Sequence, residues 1–195
     1  MSDRVTVKSI TPLARGWGRL DRYEVDHIRQ DGTRQTVLRE VYDHGSAAAV
    51  LMFAPAQRTI ILTRQFRLAP HLNGDPAWLI EAPAGLLDAG EAPDVAARRE
   101  AIEETGYEPE AMQFLFNAYM SAGSLTEKCA CFLGRYTPGH RLADGGGLVG
   151  EGEDIEVFEL GLDEALAMVA TGSIMDAKTI LMLQALQLRL AGGAF

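Results

Sequence analysis

Gly85–Tyr107 reads GLLDAGEAPDVAARREAIEETGY, and the spacing of its second half predicts a helix. At about 100° of rotation per residue, Glu100, Glu103 and Glu104 fall within an arc of about 100°. Val95 and Ile102 fall roughly opposite, so that side is expected to pack while the other collects charge. Ala96 and Ala97, one turn earlier on the charged side, are expected to leave room for an ion and its waters. Pro93 suits the first helical turn by its fixed φ, and Asp94 suits it by complementing the helix dipole. Gly106 suits the left-handed residue that ends the helix. Two unpaired carboxylates about 6 Å apart repel by roughly 3 kcal/mol at an effective dielectric of about 20. A hard divalent cation, bound through carboxylates and substrate phosphates, removes that cost.

An acidic helix face can also be plain solvated surface, with Arg98 and Arg99 as i,i+4 partners. Spacing decides against that reading. The run is Gly, five residues, Glu, seven residues, Arg-Glu, two residues, Glu-Glu, one residue, Gly. At average residue frequencies a chance match is on the order of one in a million. Gly85, Glu91, Arg99, Glu100, Glu103, Glu104 and Gly106 resemble a complete Nudix box, and the chain is similar to the Nudix hydrolase family. The resemblance implies an α/β/α sandwich with a mixed β-sheet and Mg²⁺-dependent hydrolysis of a nucleoside diphosphate linked to a further group, with Mn²⁺ as the alternative cation.

Composition sets the outer limits. The 195 residues, 47% hydrophobic, suffice for one good core and a smaller accessory layer. A net charge of −9 argues against nucleic-acid binding through a broad basic surface, so an anionic substrate must be met by local Arg, Lys and metal. Cys129 and Cys131, the only cysteines, share a strand face in KCACFLGRY and are expected to be reduced core residues. His27, His44, His71 and His140 lack zinc-ligand spacing. MSDRVTVKSI has no basic segment followed by an apolar core, and no apolar run reaches membrane-spanning length, so a soluble cytoplasmic protein is expected.

Two strands, RLDRYEVDHI and RQTVLREVYD, are expected around a turn at Asp31-Gly32, forming a small N-terminal antiparallel β-sheet domain over residues 1–44. The catalytic domain is expected over 45–195, with strands at Ala48–Phe53, Thr59–Gln65, Trp78–Glu81, Met112–Tyr119, Lys128–Tyr136 and Asp154–Leu160. Helices are expected at Leu162–Ala170 and Ala177–Leu190. The loop from Thr137 to Glu153, with Gly145-Gly146-Gly147, has too few anchors in sequence to be expected rigid without ligand.

REVYDHG, RQFR, NGD, PAGLLD, EAIEETGY, YMSAGSLTE, GEGEDIEV and GSIMDAKT extend the likeness from Arg39 to Thr179. Together they resemble the GDP-mannose pyrophosphatase branch, with the ADP-ribose pyrophosphatases sharing several of these features. Carried residue by residue, the likeness implies metal ligands at the Ala84 carbonyl, Glu100, Glu104 and Glu153, and catalytic roles for Glu103, Glu151 and Glu153. Glu151 and Glu153 remain alternatives for the base. The implied substrate-binding set is Trp17, Leu38, Arg39, Glu40, Arg67, Ala84, Gly85, Leu86, Glu104, Glu127, Gly152, Glu153 and Lys178. Trp17 stands where the branch can have tyrosine, which keeps stacking and loses a phenol hydrogen bond, and Gly152 stands where an acidic residue can occur. The branch further implies a homodimer that exchanges its N-terminal sheet, acting on a nucleoside diphosphate sugar. A Nudix-like nucleotide-binding regulator without turnover is the competing class, usually marked by an eroded box or an attached DNA-binding segment.

Overall fold

The computed structural model describes residues 4–193, which divide into two compact units. The first runs to Ser46 and takes in Tyr119–Lys128 from the far half of the chain. Its three strands, β1 (Val5–Arg15), β2 (Arg19–Ile28) and β3 (Arg34–Asp43), form an antiparallel sheet in that order. The β2–β3 connection uses Asp31-Gly32 in a β-turn, where the Arg29 carbonyl accepts from the Gly32 N–H at 3.1 Å and Gly32 takes φ +82°. Asp31 accepts the Thr33 N–H at 2.9 Å, as a turn aspartate does.

Strand β1 is a strand that the sequence pattern missed. Register shifts at Val7/Ser9 and Pro12/Ala14 break its two-residue alternation, so no continuous apolar phase survives in the letters. Once paired, it completes apolar rows such as Val7–Val25–Val37 across the sheet. Val5, Val7 and Ile10 on that face are exposed.

The second unit, Ala47–Ala118 with the chain from Cys129 onward, holds a mixed sheet. Its strands are β4 (Ala47–Ala54), β5 (Thr59–Phe66), β6 (Trp78–Glu81), β7 (Ala84–Leu86), β8 (Ala111–Tyr119), β9 (Lys128–Arg135) and β10 (Glu156–Gly161). The order is β10-β5-β4-β9-β8, with β6 on β5 and β7 on β4; β4 and β9 run parallel, while β10, β6 and β4 are antiparallel to β5. All eight residues of β4 are buried, which is why it reads as an unbroken apolar run.

Among the described residues four α-helices accompany the sheet: α1 (Leu68–Leu72), α2 (Pro93–Glu100), α3 (Leu162–Ala170) and α4 (Ala177–Ala191). Ala96, Ala97 and Ala101 of the α2 segment pack with Ala48, Val50 and Met52 on one face of β4, while α4 also packs on β4 and α3 packs on α4 and β10. This corrects the expected orientation of α2. Val95 is 54% exposed and Ile102 only half-buried, while Ala96 and Ala97 are fully buried. The alanines bring the helix close to the strand and do not line an ion cavity; small side chains permit that approach where Val would not. Cys129 and Cys131 are buried in β9 as thiols with no disulfide between them, as expected. No helix among the described residues is long and apolar enough to cross a membrane.

Candidate active site

The box helix is not α-helical throughout. After Glu100 it widens into a π turn, Ala101–Thr105, and closes at Gly106 with φ +76°. Such widened turns recur at functional sites because they re-aim side chains without ending the helix. The constant 100° step therefore fails beyond Glu100. Glu100 is 8% exposed and Glu104 1% exposed, on the same side as the buried alanines, whereas Glu103 remains partly open. The carboxylates expected on a solvent-facing patch are thus largely buried.

Arg99 organises this cluster. Its five N–H groups reach Glu91 through Nε and Nη2 at 3.1 and 3.0 Å, Glu100 through Nη1 at 2.7 Å, Glu103 at 3.2 Å, and the Leu86 carbonyl at 3.1 Å. Arg98 turns away to Glu108 and the Pro109 carbonyl. The i,i+4 pairing considered from sequence exists for Arg99–Glu103, as one arm of a wider clamp.

Glu104 lacks such a clamp. Among the described residues its buried Oε2 has no hydrogen-bond partner, and Oε1 has only Gln65 at 3.5 Å. Burial, followed by the charges of Glu100, Glu153 and Glu81, pushes its carboxyl up to about 8 in spite of Arg67. Burial also raises Glu100, opposed by Arg99 and reinforced by Glu103 and Glu153. Glu100 lies flat against Gly85: a Cβ there would sit 1.9 Å from Glu100 Oε1. An orphaned buried oxygen and a glycine-lined berth for its neighbour fit a site made for a cation. Among the described residues no three His, Cys, Asp or Glu side chains are gathered to cage a metal by themselves. The donor set therefore suits an ion that completes its shell with main-chain carbonyl, water and phosphate oxygens.

The glycine-rich loop is better anchored than its composition suggests. Gly146 and Gly147 donate to the Glu104 and Glu103 carbonyls at 2.8 and 3.1 Å, and Leu142 donates to Gly106 at 2.7 Å. These bonds satisfy the terminal carbonyls of the box helix. Gly145, at φ +65°, passes so close that a Cβ would meet the Thr105 backbone at 2.5 Å. Glu153 is turned into its own loop, its Oε2 accepting the Leu148 N–H at 2.8 Å. Gly152 ends the short turn Val149–Glu151, while the Glu151 side chain lies outside the described residues.

Sequence reasoning missed Glu81, the 3%-exposed last residue of β6. Arg67 Nε and Nη2 grip its two oxygens at 2.9 Å each, and Lys178 Nζ lies 2.8 Å from Oε2 and 3.0 Å from Asp176. Burial would raise the Glu81 carboxyl, but Lys178 and Arg67 hold it down to about 2. Lys178 is mostly buried; burial opposes its charge, yet Glu81 and Asp176 hold its pKa above the usual value. The signal was present in WLIEAPAG, because an acid ending an apolar run implies a paired buried charge.

The other expected contacts belong to the first unit. The Trp17 ring, 77% exposed, stacks on His44 with centroids 4.9 Å apart and planes 19° off parallel. Glu127 lies 3.7 Å from His44 Nε2, and Tyr42 flanks the same imidazole. His44, unassigned from sequence, thus backs both Trp17 and Glu127. On β3, Leu38 and Arg39 are exposed and Glu40 pairs with Arg22 at 2.7 Å. The Tyr119–Lys128 segment joins this unit through the Tyr42 N–H to the Ser124 carbonyl and the Thr126 N–H to the Tyr42 carbonyl.

Residues 43–167 match the NUDIX domain family, and residues 4–42 match the family described as the GDP-mannose pyrophosphatase NudK N-terminal domain. A Yersinia pestis (strain Pestoides F) protein named GDP-mannose pyrophosphatase is 44% identical over 177 residues, 90% of this chain and 88% of that one. An Escherichia coli O1:K1 / APEC protein of the same name is 43% identical over 189 residues, covering 96% and 97%. A solved structure, the crystal structure of an ADP compounds hydrolase, superposes with a TM-score of 0.73 at 19% identity, covering 99% of this chain and 98% of that one.

Proposed function

We propose that this chain, which belongs to the Nudix family, hydrolyses the pyrophosphate bond of a nucleoside diphosphate sugar, with GDP-mannose giving GMP and mannose 1-phosphate. The observation that carries this reading is the buried Glu104, whose Oε2 has no hydrogen-bond partner among the described residues, beside Glu100 on its glycine berth. Arg67 and Lys178 supply the complementary positive charge on the same unit.

Glu100 and Glu104, with the Ala84 carbonyl, would hold Mg²⁺, or Mn²⁺ in its place, and Glu153 would join when its loop bond to Leu148 is released. The bound cation would neutralise diphosphate charge and activate water as a Lewis acid. Arg67 and Lys178 anchor the phosphates, Glu103 supports the cation and its water, and Glu151 or Glu153 takes the proton of the attacking water. One phosphorus gains the hydroxyl and the other product keeps the bridging oxygen. Trp17 offers its open ring to the nucleobase. The bare apolar rows of the N-terminal sheet support a homodimer that exchanges this sheet.

The test is a kcat/KM panel with Mg²⁺ across GDP-mannose, ADP-ribose and other nucleotide conjugates. GDP-mannose is expected to lead by about tenfold or more. A lead for ADP-ribose, giving AMP and ribose 5-phosphate, moves the substrate; no turnover of any conjugate supports the non-catalytic class. Light scattering is expected to give a dimer, and a fully active monomer contradicts the exchange.

A further inference from the structure

We infer that Glu81 is a positioning residue: its carboxylate fixes the direction in which Arg67 and Lys178 present their remaining N–H groups to the substrate's diphosphate. The inference rests on the nucleotide-sugar reading for its ligand.

A guanidinium is planar, so gripping one edge fixes the whole group. Glu81 takes the Nε/Nη2 edge of Arg67 with both oxygens at 2.9 Å, and Nη1 has no hydrogen bond among the described residues. The Arg67 backbone is tied in turn, its N–H donating to the Ala77 carbonyl at 2.7 Å. Lys178 gives two of its three N–H groups to Glu81 and Asp176 and keeps one.

The frame behind these contacts is closed. Asp176 caps α4, accepting from the Thr179 N–H at 2.9 Å and the Thr179 hydroxyl at 2.6 Å. The Thr179 hydroxyl oxygen accepts the Ala82 N–H at 2.7 Å, one residue beyond Glu81. Strand end and helix start are therefore locked together through fully buried Thr179, and Glu81 joins both cations to that lock. A pair serving stability alone has no use for unspent donors on a half-open arginine. An anion site does, since directed N–H groups meet phosphate oxygens without reorganising during reaction.

The test is a double-mutant cycle on the full chain with GDP-mannose: wild type, Glu81→Gln, Arg67→Ala and the double variant, each with a melting curve. Glu81→Gln is expected to lower kcat by about 30-fold and change KM by less than about threefold; adding it to Arg67→Ala is expected to cost less than about fivefold more. A merely structural role lowers the melting temperature and leaves the kcat of the folded fraction within about threefold of wild type. That result, or full additivity with Arg67→Ala, overturns the inference. Should Glu81→Gln not fold, Glu81→Asp, which keeps the charge and withdraws it by one methylene, faces the same criteria. If wild type turns over no conjugate, the proposed function fails separately, and the same cycle read as inorganic pyrophosphate affinity with Mg²⁺ decides the positioning role.

Discussion

Glu104→Gln lowers turnover by about a thousandfold or more, and without added cation it makes the folded protein more stable at pH 8. Both effects have one cause. Glu104 is buried beside other carboxylates with its Oε2 unpartnered, so its charge is costly until a cation arrives. Its folded carboxyl stands at about 8, above the ordinary 4.5, so between those values the folded state holds a proton that the unfolded state has lost. The associated stability is complete below the unfolded value and is lost as pH rises through the folded one. Glutamine does not titrate. Melting curves in chelator should therefore diverge with rising pH, reaching a gain for the variant of roughly 2–5 kcal/mol, or about 5 °C or more, at pH 8. Saturating Mg²⁺ should reverse the order by stabilising wild type alone. A variant no more stable than wild type in chelator at pH 8 contradicts the electrostatic account.

Gly85→Ala is expected to abolish turnover by about a hundredfold or more with little change in melting temperature. The added Cβ would stand 1.9 Å from Glu100 Oε1 and 2.2 Å from its Cδ, a separation no real pair of atoms keeps. The atoms in the way are the far end of a side chain, so the carboxylate yields and the backbone stays. The fold survives while Glu100 leaves its berth and loses its place against Arg99. Circular dichroism and kcat measured together check this. An alanine variant with wild-type kcat contradicts the role given to that close approach.

The box, most strands and α3 and α4 were legible because each has a regular period or a punctuated end. Trp78–Glu81 and Leu162–Ala170 fall where spacing places them. What escaped did so for physical reasons. The two bulges of β1 erase its alternation, and α1 and β7 are too short to establish a period. The π turn is invisible in AIEET because nothing in those letters departs from α-helical preference. That turn, together with the packing of Ala96 and Ala97, reversed the expected roles of the two helix faces. Arg67 and Lys178 could be suggested by resemblance, but Glu81 could not be joined to them without knowing that β6 ends beside the start of α4. His44 escaped likewise, since a single histidine in REVYDHG says nothing of the tryptophan stacked on it.

The central claim, that Glu100 and Glu104 are buried to receive a divalent cation that serves a diphosphate, is tested most directly by anomalous diffraction. Crystals soaked with Mn²⁺ and a non-cleavable GDP-mannose analogue should give a manganese peak against the Glu100 and Glu104 carboxylates and the analogue's phosphates. Ordered analogue with no manganese beside those two side chains contradicts it.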